Sequence, residues 1–94
     1  MNTRELDELR ILIDEVDDQI LSLLARRFAL TTEVGYYKAQ NNLEPLNTTR
    51  EAKQYKRLEK LAEKYGLPAG IEKDVFRIIM QYSKQWHTII KKGW

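Results

Sequence analysis

The stretch from Thr3 to about Gln40 constrains this chain most, because it contains no Pro and only one Gly, Gly35. On a 100° helical wheel Leu9, Leu12, Ile13, Val16, Ile20, Leu23, Leu30 and Val34 share one face, the signature of a single amphipathic helix. Thr3 is the expected N-cap, with Glu5, Asp7 and Glu8 in the first turns, where the helix dipole favours anions. The Asn41-Asn42 region is the expected end. At 1.5 Å per residue a helix of ~38 residues is roughly 55 Å long. A compact monomer of this size has a radius of gyration of only ~12 Å, so such a helix would protrude and leave its apolar stripe wet. The expected architecture is therefore an all-α, intertwined homodimer. The alternative is a first helix bent or broken at Gly35, giving a monomeric three-helix bundle.

Arg27 and Lys38 lie on the centre line of that apolar stripe. A charge buried without a partner costs several kcal/mol, comparable with a small domain's margin of stability, so the two cations point to an anion between them. Lys38 follows Arg27 by eleven residues, which brings it back to within about 20° on the wheel and ~16 Å along the axis. Arg10 sits at the edge of the stripe, ~25 Å from Arg27. It is too far to share a small ligand with Arg27 of its own chain, but in an antiparallel dimer it would meet Arg27 of the other subunit. The structural alternative is pairing with carboxylates such as Asp17 or Glu51, which suits Arg10 alone better than it suits Arg27 and Lys38 together.

The composition narrows the chemistry. With 94 residues, 43% hydrophobic and 32% charged, the chain is expected to form one globular domain over residues 1–94. It has no Cys and one His, hence no disulfide framework, no thiolate nucleophile and no structural metal site. No segment approaches the ~20 apolar residues of a membrane span, and the first residues do not resemble a signal peptide. The expected location is the cytoplasm, without membrane association. The net charge of +2 divides unevenly: residues 1–40 carry five Lys/Arg against eight Asp/Glu, and residues 41–94 carry eleven against six. This asymmetry suggests that the two parts face each other. The lysines share their helices with Glu59, Glu63, Glu72 and Asp74, unlike the concentrated basic face of a nucleic-acid module, so no DNA or RNA partner is expected.

After Glu44-Pro45-Leu46, Thr48 and Glu51 have capping-box spacing and open a second helix. It runs to about Tyr65, with Gly66 as a left-handed stop and Leu67 as the apolar residue beyond. Pro68 suits the first turn of a third helix that continues to about Lys91, before Gly93. Its broad apolar face of Ile71, Val75, Ile78, Ile79, Tyr82, Trp86 and Ile90 is that of a helix buried on two sides. Ser83 and His87, one turn apart beside Phe76, supply a hydroxyl and a ring donor that can orient a polar ligand, though each alone also suits a structural hydrogen bond. Glu51 heads the stripe Tyr55, Leu58, Ala62 and Tyr65, where both capping and ligand contact are open to it. No nucleophile-base-orienter set can be assembled around the single His, and the four Gly form no phosphate loop. What remains is a site rich in fixed cations and donors, suited to a small dianion in which charge moves.

These residues resemble the all-helical chorismate mutases, or type II chorismate mutases, over nearly the whole chain. The likeness is carried by Leu9-Arg10, Asp14 to Asp17, Ile20 to Arg27, Glu33-Val34-Gly35 with Lys38, Arg50-Glu51, and Phe76 to Ser83. The resemblance implies an intertwined homodimer with two equivalent sites, each borrowing Arg10 from the partner chain. It implies that Arg10 and Arg27 clamp two carboxylates and that Lys38 reaches a carboxylate and the ether oxygen. Glu51, with Arg50 nearby, would meet the ring hydroxyl, and Ser83 would help hold the ring carboxylate. Two positions depart from the family pattern, and the resemblance implies that both touch the reacting part of the substrate: Asn47 stands where Asp is usual, in a loop one residue shorter than the common one, and His87 stands where Gln or Glu usually faces the ether oxygen.

The implied reaction is the intramolecular [3,3] rearrangement of chorismate to prephenate in aromatic amino acid biosynthesis, without metal, cofactor or covalent intermediate. Lys38 and His87 would stabilise negative charge growing on the ether oxygen. The alternatives on the same fold are an isochorismate-pyruvate lyase, a 4-amino-4-deoxychorismate mutase, and a non-catalytic helical dimer that binds an aromatic-pathway metabolite.

Overall fold

A computed structural model describes residues 5–93 and is all-α among them, with three helices in the order α1 (Leu6–Gln40), α2 (Thr48–Lys64) and α3 (Ile71–Lys91). The long first helix is present, with Asp7 and Glu8 in its first turn; the expected Thr3 cap lies outside the described residues. The helix passes through Gly35 without a break. It closes where expected: Asn42 adopts a left-handed conformation (φ 55°), its amide donates to the Ala39 carbonyl at 3.3 Å, and the Leu43 amide donates to the Lys38 carbonyl at 2.7 Å. These two bonds satisfy carbonyls that a helix end otherwise leaves unpaired.

The same device ends α2. Gly66, with φ 66°, donates to the Glu63 carbonyl at 3.1 Å, and Leu67 donates to the Ala62 carbonyl at 3.0 Å. A side chain there would be strained, so Gly fits the stop. The start of α2 differs from the capping-box expectation. Asn47, in an extended conformation, is the cap, and its Oδ1 accepts from the Arg50 amide at 3.0 Å. Thr48 is already helical and Glu51 turns elsewhere. The reason is positional, since Asn is at least as good a cap as Thr and stands one residue earlier.

The start of α3 also differs. Pro68 is not in its first turn; the helix begins at Ile71, behind Gly70 with φ 90°. The Pro68 carbonyl instead accepts from the Ile71 amide at 3.3 Å, closing a turn ahead of the helix. Gly70 takes a conformation that a helix interior cannot contain, so the helix starts after it.

The chain divides into two compact units, residues up to Thr31 and residues from Thr32 onward. The first consists of the leading part of α1. None of its described residues is buried, and Ile13, Ile20 and Leu23 are 57%, 55% and 62% exposed. It has an apolar stripe but no core of its own.

The second unit holds the end of α1, the following loop, and α2 packed on α3. Its buried apolar side chains are Leu58 and Ala62 of α2 and Met80 and Ile90 of α3. Along α3 the buried positions Glu72, Met80, Ser83, His87 and Ile90 follow helical spacing and define one covered side. The neighbouring stripe of Ile71, Val75, Ile78 and Tyr82 stays exposed. Within the second unit, then, α3 is covered on one side rather than two.

Candidate active site

Gly35 brings α1 and α3 together. It is the one buried residue of α1, and a Cβ placed on it would lie 2.7 Å from His87 Cδ2 and 3.0 Å from Ile90 Cδ1. Both separations are below ordinary van der Waals contact, so only a residue without a side chain allows this approach. The contact sets the buried imidazole of His87 against the backbone of α1, one turn before Lys38.

Ser83 lies one turn before His87 on the same covered side of α3, and both are buried. Polar side chains on a core-facing line are costly without hydrogen bonds, so their place there is a specific feature of the fold. Lys38 is half-buried, and its Nζ donates to the Pro45 carbonyl at 3.2 Å. This bond ties the last turn of α1 to the loop that leads into α2. Lys91, in the last turn of α3, holds the same loop through Glu44, with Nζ and Oε1 3.1 Å apart. Asn47 follows as the α2 cap, so its side-chain oxygen already serves the Arg50 amide; Arg50 itself is exposed.

Glu51 is paired across helices. Its Oε1 accepts from Lys84 Nζ at 3.1 Å, joining the first turn of α2 to α3. Its carboxylate thus serves a pair between α2 and α3 rather than a capping box. Arg10 stands near Asp7, with 3.9 Å between Nη1 and Oδ1. Both side chains are mostly in solvent, so the contact adds little to stability.

The second unit thus holds Lys38, Asn47, Arg50, Glu51, Ser83 and His87, and the first unit holds Arg10 and Arg27, the latter half-buried. Two residues of this region escape a reading of the sequence. Gly35 reads as a possible hinge, yet it is a packing contact whose partner is 52 residues away. Lys84 reads as an ordinary solvated helix charge. Its only local signal is its position beside Ser83 and three residues before His87. Among the described residues, no group of three or more His, Cys, Asp or Glu is placed to hold a metal ion, and no helix is long and apolar enough to cross a membrane.

Comparison with known proteins decides the family. Residues 9–88 match the family model for chorismate mutase type II. The chain belongs to the type II chorismate mutase family. The matched stretch runs from the residue before Arg10 to the residue after His87, so it contains every candidate above. Among its relatives, a chorismate mutase of Methanocaldococcus jannaschii is 32% identical over 80 residues, covering 85% of this chain and 81% of that protein. A T-protein of Enterobacter agglomerans is 40% identical over 79 residues, covering 84% of this chain and 21% of the T-protein. A T-protein of Haemophilus influenzae is 39% identical over 80 residues, again with 21% of its length covered. The chain therefore spans about a fifth of the length of the T-proteins and most of the archaeal chorismate mutase.

Proposed function

We propose that this chain catalyses the rearrangement of chorismate to prephenate as a homodimer, in which residues 1–94 form one chorismate mutase domain and two copies build two equivalent sites. The observation that carries the reading is the buried pair Ser83 and His87 on one side of α3, with His87 set against Gly35 one turn before Lys38. In a type II chorismate mutase, donors and a cation in that order suit a dianion whose ether bond breaks.

The exposed apolar stripe of the first unit supports the dimer. A helix with Leu9, Leu12, Ile13, Val16, Ile20 and Leu23 all exposed gains by burying that face, at about 25 cal/mol per Å² of apolar surface. A second copy supplies an identical stripe, and a two-fold axis lets each cover the other. That arrangement would also carry Arg10 of one subunit to Arg27 of the other. The exposed stripe of α3 offers a further surface to the same interface.

In the site so formed, Arg10 from one subunit and Arg27 from the other bind the two carboxylates and hold the substrate in its diaxial, chair-like form. Ser83 donates to the ring carboxylate, and Glu51, with Arg50 nearby, accepts from the ring hydroxyl. Asn47 keeps the adjoining helix start in place. As the bond between carbon and the ether oxygen breaks and the new carbon–carbon bond forms within the same molecule, partial negative charge builds on that oxygen, opposite Lys38 and His87, on its way to becoming a carbonyl. Donors already aimed at this position need no reorganisation during the reaction, and one of them typically supplies about 3 to 4 kcal/mol of barrier stabilisation.

Purified protein mixed with chorismate tests this directly through loss of chorismate ultraviolet absorbance and identification of the product. Prephenate is the expected product. Release of pyruvate from isochorismate, turnover of the amino analogue alone, or binding without turnover would each replace this reading with another.

A further inference from the structure

The ion pair between Glu51 and Lys84 has no part in the mechanism above, yet it engages one of the carboxylates assigned to the substrate. Lys84 Nζ lies 3.1 Å from Glu51 Oε1, with 42% of the lysine side chain and 26% of the glutamate side chain exposed. A partly exposed pair of this kind contributes modestly to stability, so the fold should survive its loss. Its effect is geometric and electrostatic. It occupies one carboxylate oxygen, leaves the other as an acceptor, and places a cation on α3 immediately after Ser83.

The consequence depends on what the substrate ring carries. A hydroxyl donates to the remaining oxygen whether or not a cation stands behind the carboxylate. An amino group at the same ring carbon is largely ammonium near neutral pH. It would be drawn strongly to a lone carboxylate, but here it meets one already neutralised, with the Lys84 charge close by. The pair therefore favours a neutral donor and opposes a cationic one, which is selectivity by an added repulsive element.

We propose that Lys84 is a positioning and specificity residue, which acts through Glu51 to select a ring hydroxyl over a ring amine. The proposal rests on the chorismate mutase reading and on the placement of Glu51 at the ring hydroxyl within it. Lys84→Met keeps most of the aliphatic stem and removes the charge; Lys84→Arg keeps the charge.

The test measures kcat/KM for chorismate and for its analogue with an amino group in place of the ring hydroxyl, in wild type, Lys84→Met, Lys84→Gln and Lys84→Arg. In Lys84→Met and Lys84→Gln the ratio of amine to hydroxyl activity should rise by about tenfold or more, the scale of discrimination expected from one polar contact. Lys84→Arg should return the ratio to within about threefold of wild type, since it restores the opposing charge. An unchanged ratio in both neutral variants overturns the proposal and leaves the chorismate mutase reading intact. A parallel loss on both substrates also overturns it, assigning Lys84 a purely structural role. Wild-type protein that turns over neither substrate overturns the reading of the activity itself, and this proposal with it.

Discussion

A Cβ on Gly35 would approach His87 Cδ2 to 2.7 Å, so the absence of a side chain on α1 is what allows the α3 imidazole its buried place. Gly35→Ala gains about 1 kcal/mol in helix propensity but incurs about 1 to 3 kcal/mol of overpacking, so the net effect on stability is small to moderately unfavourable. The effect on function should be larger, because the buried ring must move. Thermal unfolding and chorismate turnover measured side by side should show a Gly35→Ala protein that remains folded and has lost about tenfold or more in kcat, as expected when a catalytic group is displaced by a fraction of an ångström. Wild-type kcat in that variant would mean the position of His87 is immaterial.

Lys38 has two tasks, the bond to the Pro45 carbonyl at 3.2 Å and the proposed contact with the ether oxygen. They separate by magnitude. Loss of the first costs about 0.5 to 1.5 kcal/mol of stability, whereas loss of the second lowers kcat by about two to three orders of magnitude. Lys38→Ala should therefore unfold at a slightly lower temperature and be nearly inactive. Near-normal kcat together with lowered stability would assign Lys38 to the loop alone.

If His87 faces the ether oxygen as proposed, its protonation state should affect the rate. A neutral imidazole donates one hydrogen bond, while imidazolium donates from both nitrogens and brings a full charge to the developing negative oxygen. On chorismate kcat/KM should rise as pH falls, until acid disrupts the fold or neutralises the substrate. His87→Gln should flatten that profile and raise activity at higher pH. Identical profiles for the two proteins would remove His87 from the ether oxygen.

Asn47 caps α2 through Oδ1. Asn47→Ala should lower stability by about 0.5 to 2 kcal/mol, read by denaturant unfolding, and Asn47→Asp should retain the wild-type value because Asp caps equally well. Equal stability of all three proteins would show that the cap carries no weight.

Much of this was legible from local patterns. The unbroken run through α1, its end at Asn42, the Gly66-Leu67 stop of α2 and the end of α3 before Gly93 each depend on a few neighbouring residues. The helix starts were harder, because two adjacent residues competed for each role: Asn47 with Thr48 as a cap, and Gly70 with Pro68 as the boundary of α3. Tertiary partners were not legible at all. Nothing near Lys84 announces Glu51, 33 residues earlier, and nothing near Gly35 announces His87. Arg27 and Lys38 were legible as a pair because two cations stand on one apolar stripe, whereas Arg10, Glu51 and Ser83 joined them only through the resemblance to the chorismate mutases.

In the proposed dimer two chains build each site, with Arg10 from one and Arg27 from the other. This is tested most directly by mixing an Arg10→Ala chain with an Arg27→Ala chain, each inactive alone, and assaying chorismate turnover after subunit exchange. Random pairing makes half the dimers mixed, and each mixed dimer holds one intact site, so activity should recover to about a quarter of wild type. No recovery after confirmed exchange would mean that the two arginines do not meet across a dimer.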